Sequence, residues 1–179
     1  VKLRQWTATT LFALAAPASA GATPSAPEQA AVEAAAIDPA EAVGGAPAYD
    51  PSRAATADVN AALAAARASG RHVLLIMGGD WCHDSMALWD LFDTPRFATM
   101  LDARYELVWV DVGHRDRNLD IARRFGLPPL EGTPTVLILT PQGTATNLED
   151  APTWRNAASR KPEAIYRHFS RAVAPVPNP

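Results

Sequence analysis

A single cysteine, Cys82, occurs among 179 residues. That scarcity excludes an internal disulfide. Also missing is an apolar run of the roughly 20 residues that a membrane-spanning helix needs. Lys and Arg form no recurring block, and the net charge is −3. Nothing therefore points to nucleic acid or anionic lipid as a partner. No internal repeat is present. The length fits one domain plus tails.

What is present begins with a short basic start, Lys2 and Arg4, followed by a modest apolar stretch over Trp6 to Ala16. Ala18-Ser19-Ala20 matches the small-x-small rule for cleavage. Residues 1–20 thus read as a secretory signal peptide cut after Ala20, with an uncleaved amphipathic tail as the alternative. Residues 21–55 are rich in Ala and Pro and read as a flexible tether, with a transient helix over 29–37. The folded domain is expected to start near Asp50 or Thr56, and is taken as residues 56–179. Export predicts the periplasm or cell envelope, where disulfides persist. A lone cysteine there is either an intermolecular partner or a free reactive thiol.

Within the domain, Thr56 is a candidate N-cap for a helix carrying Val59, Leu63 and Ala66 at helical spacing, with Gly70 ending it. His72 to Gly78 reads as a buried strand and Cys82 to Phe92 as a helix. Pro95 restarts a helical segment with Phe97, Met100 and Leu101 inward. Tyr105 to Val112 clusters its apolar residues as a buried parallel strand does. A short helix over Asn118 to Phe125 ends at Gly126. Thr135 to Leu139 is a strand, Pro141-Gln142-Gly143 a hairpin turn, and Thr144 to Leu148 an antiparallel edge strand. Trp154 to Ser159 reads as a packed Ω-like loop. A last helix opens at Lys161-Pro162-Glu163 and turns Ile165, Phe169 and Val173 inward. Trp89 and Trp109 are placed in the core.

Cys82 falls where the first strand turns into a helix. Unpaired N–H groups and the helix dipole at that junction favour a thiolate, which is the nucleophile of thiol–disulfide exchange. The bland alternative is an inert cysteine packed as a small hydrophobe. Ser85, one turn on, is either a hydroxyl that holds the sulfur or a plain surface or capping serine. His83 either tunes the sulfur or faces water. Asp84 is a first-turn acid suited to the helix dipole. Trp81 either borders a partner-binding face or packs beneath the loop.

The order strand, Trp81-Cys82-x-x at a helix start, then Gly132-Thr133-Pro134 before an apolar strand resembles the thioredoxin superfamily. Asp93-Thr94-Pro95-Arg96-Phe97 and Val110-Asp111-Val112 add to that resemblance, which covers about residues 56–174. It implies an α/β thioredoxin-like fold, a central mixed sheet flanked by helices in three layers. It implies further that Pro134 is cis, precedes the last parallel strand and lies against Cys82, and that the backbone of Thr133 pairs with an extended substrate chain. Two positions depart from the family pattern. The resolving cysteine is Ser85, and the buried acid six residues before the active cysteine is Ile76.

The expectation is an exported monothiol oxidoreductase. Cys82, Ser85 and Pro134 carry the chemistry; Trp81, His83 and Thr133 contact the substrate. The partner is a cysteine-containing protein or a small thiol such as glutathione. No cofactor, no metal and a monomer are expected. One alternative is a non-catalytic binding module that captures cysteines or peptides. A weaker one is metal handling by Cys82, His83 or Asp84 with His114.

Overall fold

The structure is a computed structural model that describes residues 48–176. The signal peptide expected over 1–20, the helix at 29–37 and the tether up to residue 47 lie outside the described residues. Their elements are α1 (Ala55–Ser69), β1 (His72–Gly78), α2 (His83–Phe92), α3 (Pro95–Asp102), β2 (Tyr105–Asp111), α4 (Leu119–Arg124), β3 (Thr135–Leu139), a 3-10 segment (Ala151–Ser159) and α5 (Pro162–Ala172). None of the described helices is long and apolar enough to cross a membrane.

The sheet is mixed, with strand order β2-β1-β3. β1 runs parallel to β2 and antiparallel to β3. Val73, Leu74, Leu75, Ile76 and Met77 of β1 are completely buried. Because successive side chains of a strand point to opposite faces, this one strand feeds two cores. Leu74 and Ile76 join Leu88 and Phe92 of α2, Phe97 of α3 and Phe169 of α5. Val73, Leu75 and Met77 join Val59 and Leu63 of α1 and Ile121 of α4. The result is three layers, helices on both faces of a sheet, which is a thioredoxin-like arrangement.

Several local expectations meet a different outcome. Packing starts before Asp50: Ala48 and Tyr49 are already buried, within the stretch read as tether. The Tyr49 N–H donates to Asp80 Oδ1 at 3.1 Å, and its ring meets Trp109 edge-on at 5.4 Å. The cap of α1 is Ala54 rather than Thr56, while Gly70 ends the helix in the left-handed region at φ 77° as expected. β2 is parallel but lies at the sheet edge, so Leu107 is 40 % exposed and Trp109 only half-buried. Its apolar clustering does not separate an edge strand from an internal one.

The strand after Pro134 is antiparallel to β1, not parallel. Nor does Thr144 to Leu148 form a strand; only an isolated bridge links Ala145 to Leu139. The turn at Gly143 forms (φ 88°), but Asn147 then supplies with its side chain what a strand would supply with its backbone. Asn147 Oδ1 accepts from the Ile138 N–H at 2.8 Å, and its Nδ2 donates to the Val136 carbonyl at 2.9 Å. The segment read as an Ω-like loop is helical in the 3-10 sense, with a kink at Asn156. Its Trp154 is fully buried and stacks on Phe169 at 4.7 Å. The Arg160 guanidinium lies over the same indole at 4.1 Å.

Two outcomes are expected. Asn147→Ala strips β3 of both side-chain bonds and should cost about 1–3 kcal/mol, seen as a lower urea midpoint; an unchanged midpoint would show that β3 draws no support from Asn147. The second concerns His168, half-buried beside Trp154 (4.8 Å between rings) and 3.6 Å from Asp150. Burial holds its pKa below the ordinary histidine value, outweighing the Asp150 carboxylate, and Arg160 acts in the same direction as burial. The unfolded chain therefore takes up a proton first. The contribution of His168 is complete above the ordinary value of about 6.5 and is lost as the pH falls through the lower folded value. The melting temperature should drop on acidification from pH 7.5 to 5.5, and His168→Gln should flatten that slope.

Candidate functional site

β1 leaves the sheet through Gly78 and Gly79 and delivers the chain to α2. The Val112 N–H donates to the Gly78 carbonyl at 2.8 Å, which brings the loop after β2 alongside this exit. The Cys82 N–H closes a turn onto the Gly79 carbonyl at 3.0 Å. Cys82 is the N-cap of α2, with the extended backbone (φ −93°, ψ 114°) that such a position adopts. It precedes a helical turn whose first N–H groups lack intrahelical acceptors.

The cysteine is free and only 9 % exposed. Its Sγ donates to the Thr133 carbonyl at 3.3 Å, across 51 positions of sequence. Only a protonated thiol can donate that bond. The Thr133–Pro134 peptide bond is cis, and both residues are buried immediately before β3. Thr135 Oγ1 donates to the Gly132 carbonyl at 2.9 Å and ties down the same bend. The structure thus gathers Cys82, Thr133 and Pro134.

Trp81 is not buried under the loop. It is half exposed, its indole N–H donates to the Gly113 carbonyl at 2.7 Å, and it stacks on His114 at 5.0 Å. Gly79 makes room for it, since a Cβ there would lie 2.6 Å from the indole nitrogen. Trp81 and His114 therefore form an exposed aromatic ledge beside the cysteine turn. His83 is exposed at the start of α2. Asp84 has a structural partner that its position in the sequence did not reveal. Its Oδ1 accepts from the Ala158 N–H at 2.8 Å and pins the 3-10 segment to the first turn of α2.

Ser85 is neither a surface nor a capping serine. It is fully buried, makes no capping bond, has no hydrogen bond to Cys82, and faces the Tyr49 hydroxyl without a bond of good geometry. Its Oγ lies against Gly78 together with the Tyr49 hydroxyl: a Cβ on Gly78 would meet them at 2.5 and 2.7 Å. Burial, chiefly, pushes the Tyr49 phenol well above the usual tyrosine range; the Ser85 hydroxyl pulls it down, and the charges of Cys82 and Asp80 push it up. Nothing in the sequence singled out Tyr49, a lone aromatic at the end of an Ala- and Pro-rich stretch. Ile76, at the family's acid position, is fully buried among Leu74, Leu88 and Phe92. Among the described residues no three His, Cys, Asp or Glu side chains gather as metal ligands do.

A family model described as thioredoxin-like matches residues 54–141. No curated protein matches in sequence. Among solved structures, a disulphide isomerase from Xylella fastidiosa Temecula1 is 29 % identical with a TM-score of 0.66, over 69 % of this chain and 95 % of that one. A thioredoxin from Thermus thermophilus is 22 % identical with a TM-score of 0.45, over 63 % of this chain and 82 % of that one. The DsbD C-terminal domain of Neisseria meningitidis is 21 % identical with a TM-score of 0.42, over 51 % of this chain and 79 % of that one. The matched residues contain β1, the Cys82 turn, α2, β2 and the Thr133-Pro134 bend, and over these residues the chain is a thioredoxin-like domain.

Proposed function

We propose that this chain is an exported thiol–disulfide oxidoreductase that works as a monothiol through Cys82. The observation that carries the reading is the placement of the one cysteine: it caps α2, and its sulfur meets the backbone just before Pro134. The likeness to a structure described as a disulphide isomerase agrees with it. Export rests on Lys2, Arg4 and the Ala18-Ser19-Ala20 pattern. The partners proposed are cysteine-containing proteins and small thiols such as glutathione.

The reaction is an exchange of sulfur partners. The Cys82 thiolate attacks one sulfur of a disulfide R–S–S–R′. A Cys82–S–S–R bond forms, and R′S⁻ leaves with the electron pair of the broken bond. With serine at position 85, no second thiol of the same chain attacks the adduct. Release needs an outside thiol, which attacks the R sulfur and returns Cys82 as the thiolate. A monothiol can therefore shuffle disulfides or carry one glutathione, but it cannot reduce a disulfide by itself. Trp81 and His114 border the site as a ledge for the partner, His83 lies at its rim, and Thr133 and Pro134 lie on the opposite strand connection.

A second reading, a module that captures partner cysteines without turnover, has one observation in its favour: Cys82 is 9 % exposed and engaged by Thr133. The two readings divide on release. Oxidised glutathione is expected to add one glutathione to the wild-type protein by intact mass, and none to Cys82→Ser. Reduced glutathione should then remove it within minutes. An adduct that persists would favour the trap; a thiol that forms no adduct and resists iodoacetamide in the folded protein would overturn both.

A further inference from the structure

Two buried hydroxyls remain without a role in the exchange as described. Ser85 is 0 % exposed and Tyr49 is 2 % exposed; their hydroxyls face each other, and neither has a hydrogen bond of good geometry among the described residues. Orphaned buried hydroxyls are costly and uncommon, and a Tyr49–Ser85 bond still leaves one O–H of the pair without an acceptor. Both reach the point where only the missing side chain of Gly78 leaves room. Ser85 holds the third position of α2 and Cys82 is its cap. In that relation the third side chain of a helix can reach back toward the cap residue. The phenol of Tyr49, raised by burial, keeps its proton throughout the working range and is a permanent donor.

We propose that Tyr49 and Ser85 form a hydroxyl relay that receives the sulfur of Cys82 when it is expelled from a mixed disulfide. The proposal rests on the monothiol reading. In the releasing step a small thiolate R″S⁻ attacks the R sulfur of Cys82–S–S–R. An R–S–S–R″ bond forms, the bond to Cys82 breaks, and its electron pair stays on Sγ with no net oxidation or reduction. The new thiolate cannot donate to the Thr133 carbonyl, as the thiol does at 3.3 Å. It needs a donor instead. Rotation of one side chain lets the Ser85 O–H donate to Sγ, while the Tyr49 O–H donates to Ser85 Oγ. Hydrogen bonds to a charged acceptor are the strong ones, so the leaving sulfur is where such a relay acts most. After that rotation Ser85 touches the reacting atom. Tyr49 acts through it and is a positioning residue.

The test measures release of glutathione from the Cys82 adduct by reduced glutathione, by intact mass against time. The proteins are wild type, Ser85→Ala, Tyr49→Phe, the double variant and Ser85→Thr, each checked for cooperative thermal unfolding. Ser85→Ala and Tyr49→Phe should each slow release by roughly three- to tenfold. The double variant should be no slower than Ser85→Ala, because Tyr49 acts only through the serine hydroxyl. Ser85→Thr, which keeps that hydroxyl, should restore release. Equal rates in wild type and Ser85→Ala would overturn the relay and leave the oxidoreductase reading intact, even if Tyr49→Phe does not fold. Losses that multiply in the double variant would overturn it too. A wild-type protein that forms no adduct at all would overturn both readings together.

Discussion

β1 is the constraint on which the other elements depend. From Val73 to Met77 it is fully buried, with β2 hydrogen-bonded along one side and β3 along the other. A strand in that position has its backbone groups satisfied on both edges and its side chains enclosed on both faces. It cannot slip by one residue without exchanging the two cores, since its side chains alternate between them. Everything at the site is measured from its end. Gly78 closes the strand, receives the Val112 N–H, and leaves the space into which Tyr49 and Ser85 point. Four residues later the chain presents Cys82.

The chemistry that follows comes from what is missing around the sulfur as much as from what is near it. A thioredoxin-like site with two cysteines takes up and releases a partner within one chain. Here Ser85 occupies the second position and Ile76 the place of the buried acid, packed with Leu74, Leu88 and Phe92 in an apolar cluster. The two substitutions agree with each other physically. By the resemblance the buried acid serves the resolving thiol, whose place Ser85 takes, and an ionised carboxyl in that cluster would lack any partner for its charge. The Cys82 sulfur meets a carbonyl from a distant loop. The ledge of Trp81 and His114 stands on a second distant loop. The site is thus assembled from three chain segments, and the Cys82 turn is tied to the rest by three bonds: Asp80 to Tyr49, Asp84 to Ala158, Trp81 to Gly113.

Legibility differed by element. The apolar run of β1, the glycine end of α1 and the proline start of α5 could be read directly, because burial, left-handed backbone and a missing N–H are properties of single residues or short patterns. The turn at Gly143 was equally plain. The strand expected after it was not, because Asn147 bonds β3 through its side chain, and no local pattern distinguishes an asparagine that does so from one that faces water. β2 looked internal because Leu107, Val108, Trp109 and Val110 form one apolar run. Its place at the edge depends on which strands lie beside it, which is a long-range property. Trp154 gave no periodic pattern, yet it is fully buried and stacked on Phe169.

By itself the sequence determined that there is one thiol, that it lies at a strand-to-helix junction, and that serine stands three residues after it. These are facts of residue identity and spacing. Tertiary structure alone decided which carbonyl holds that thiol, that Trp81 lies exposed against His114, and that the serine at position 85 is buried with Tyr49 behind Gly78. The physical reason is distance along the chain. Thr133 stands 51 residues from Cys82 and Tyr49 lies on its other side, before α1. Their meeting depends on the packing of both faces of the sheet, and no window of sequence contains it.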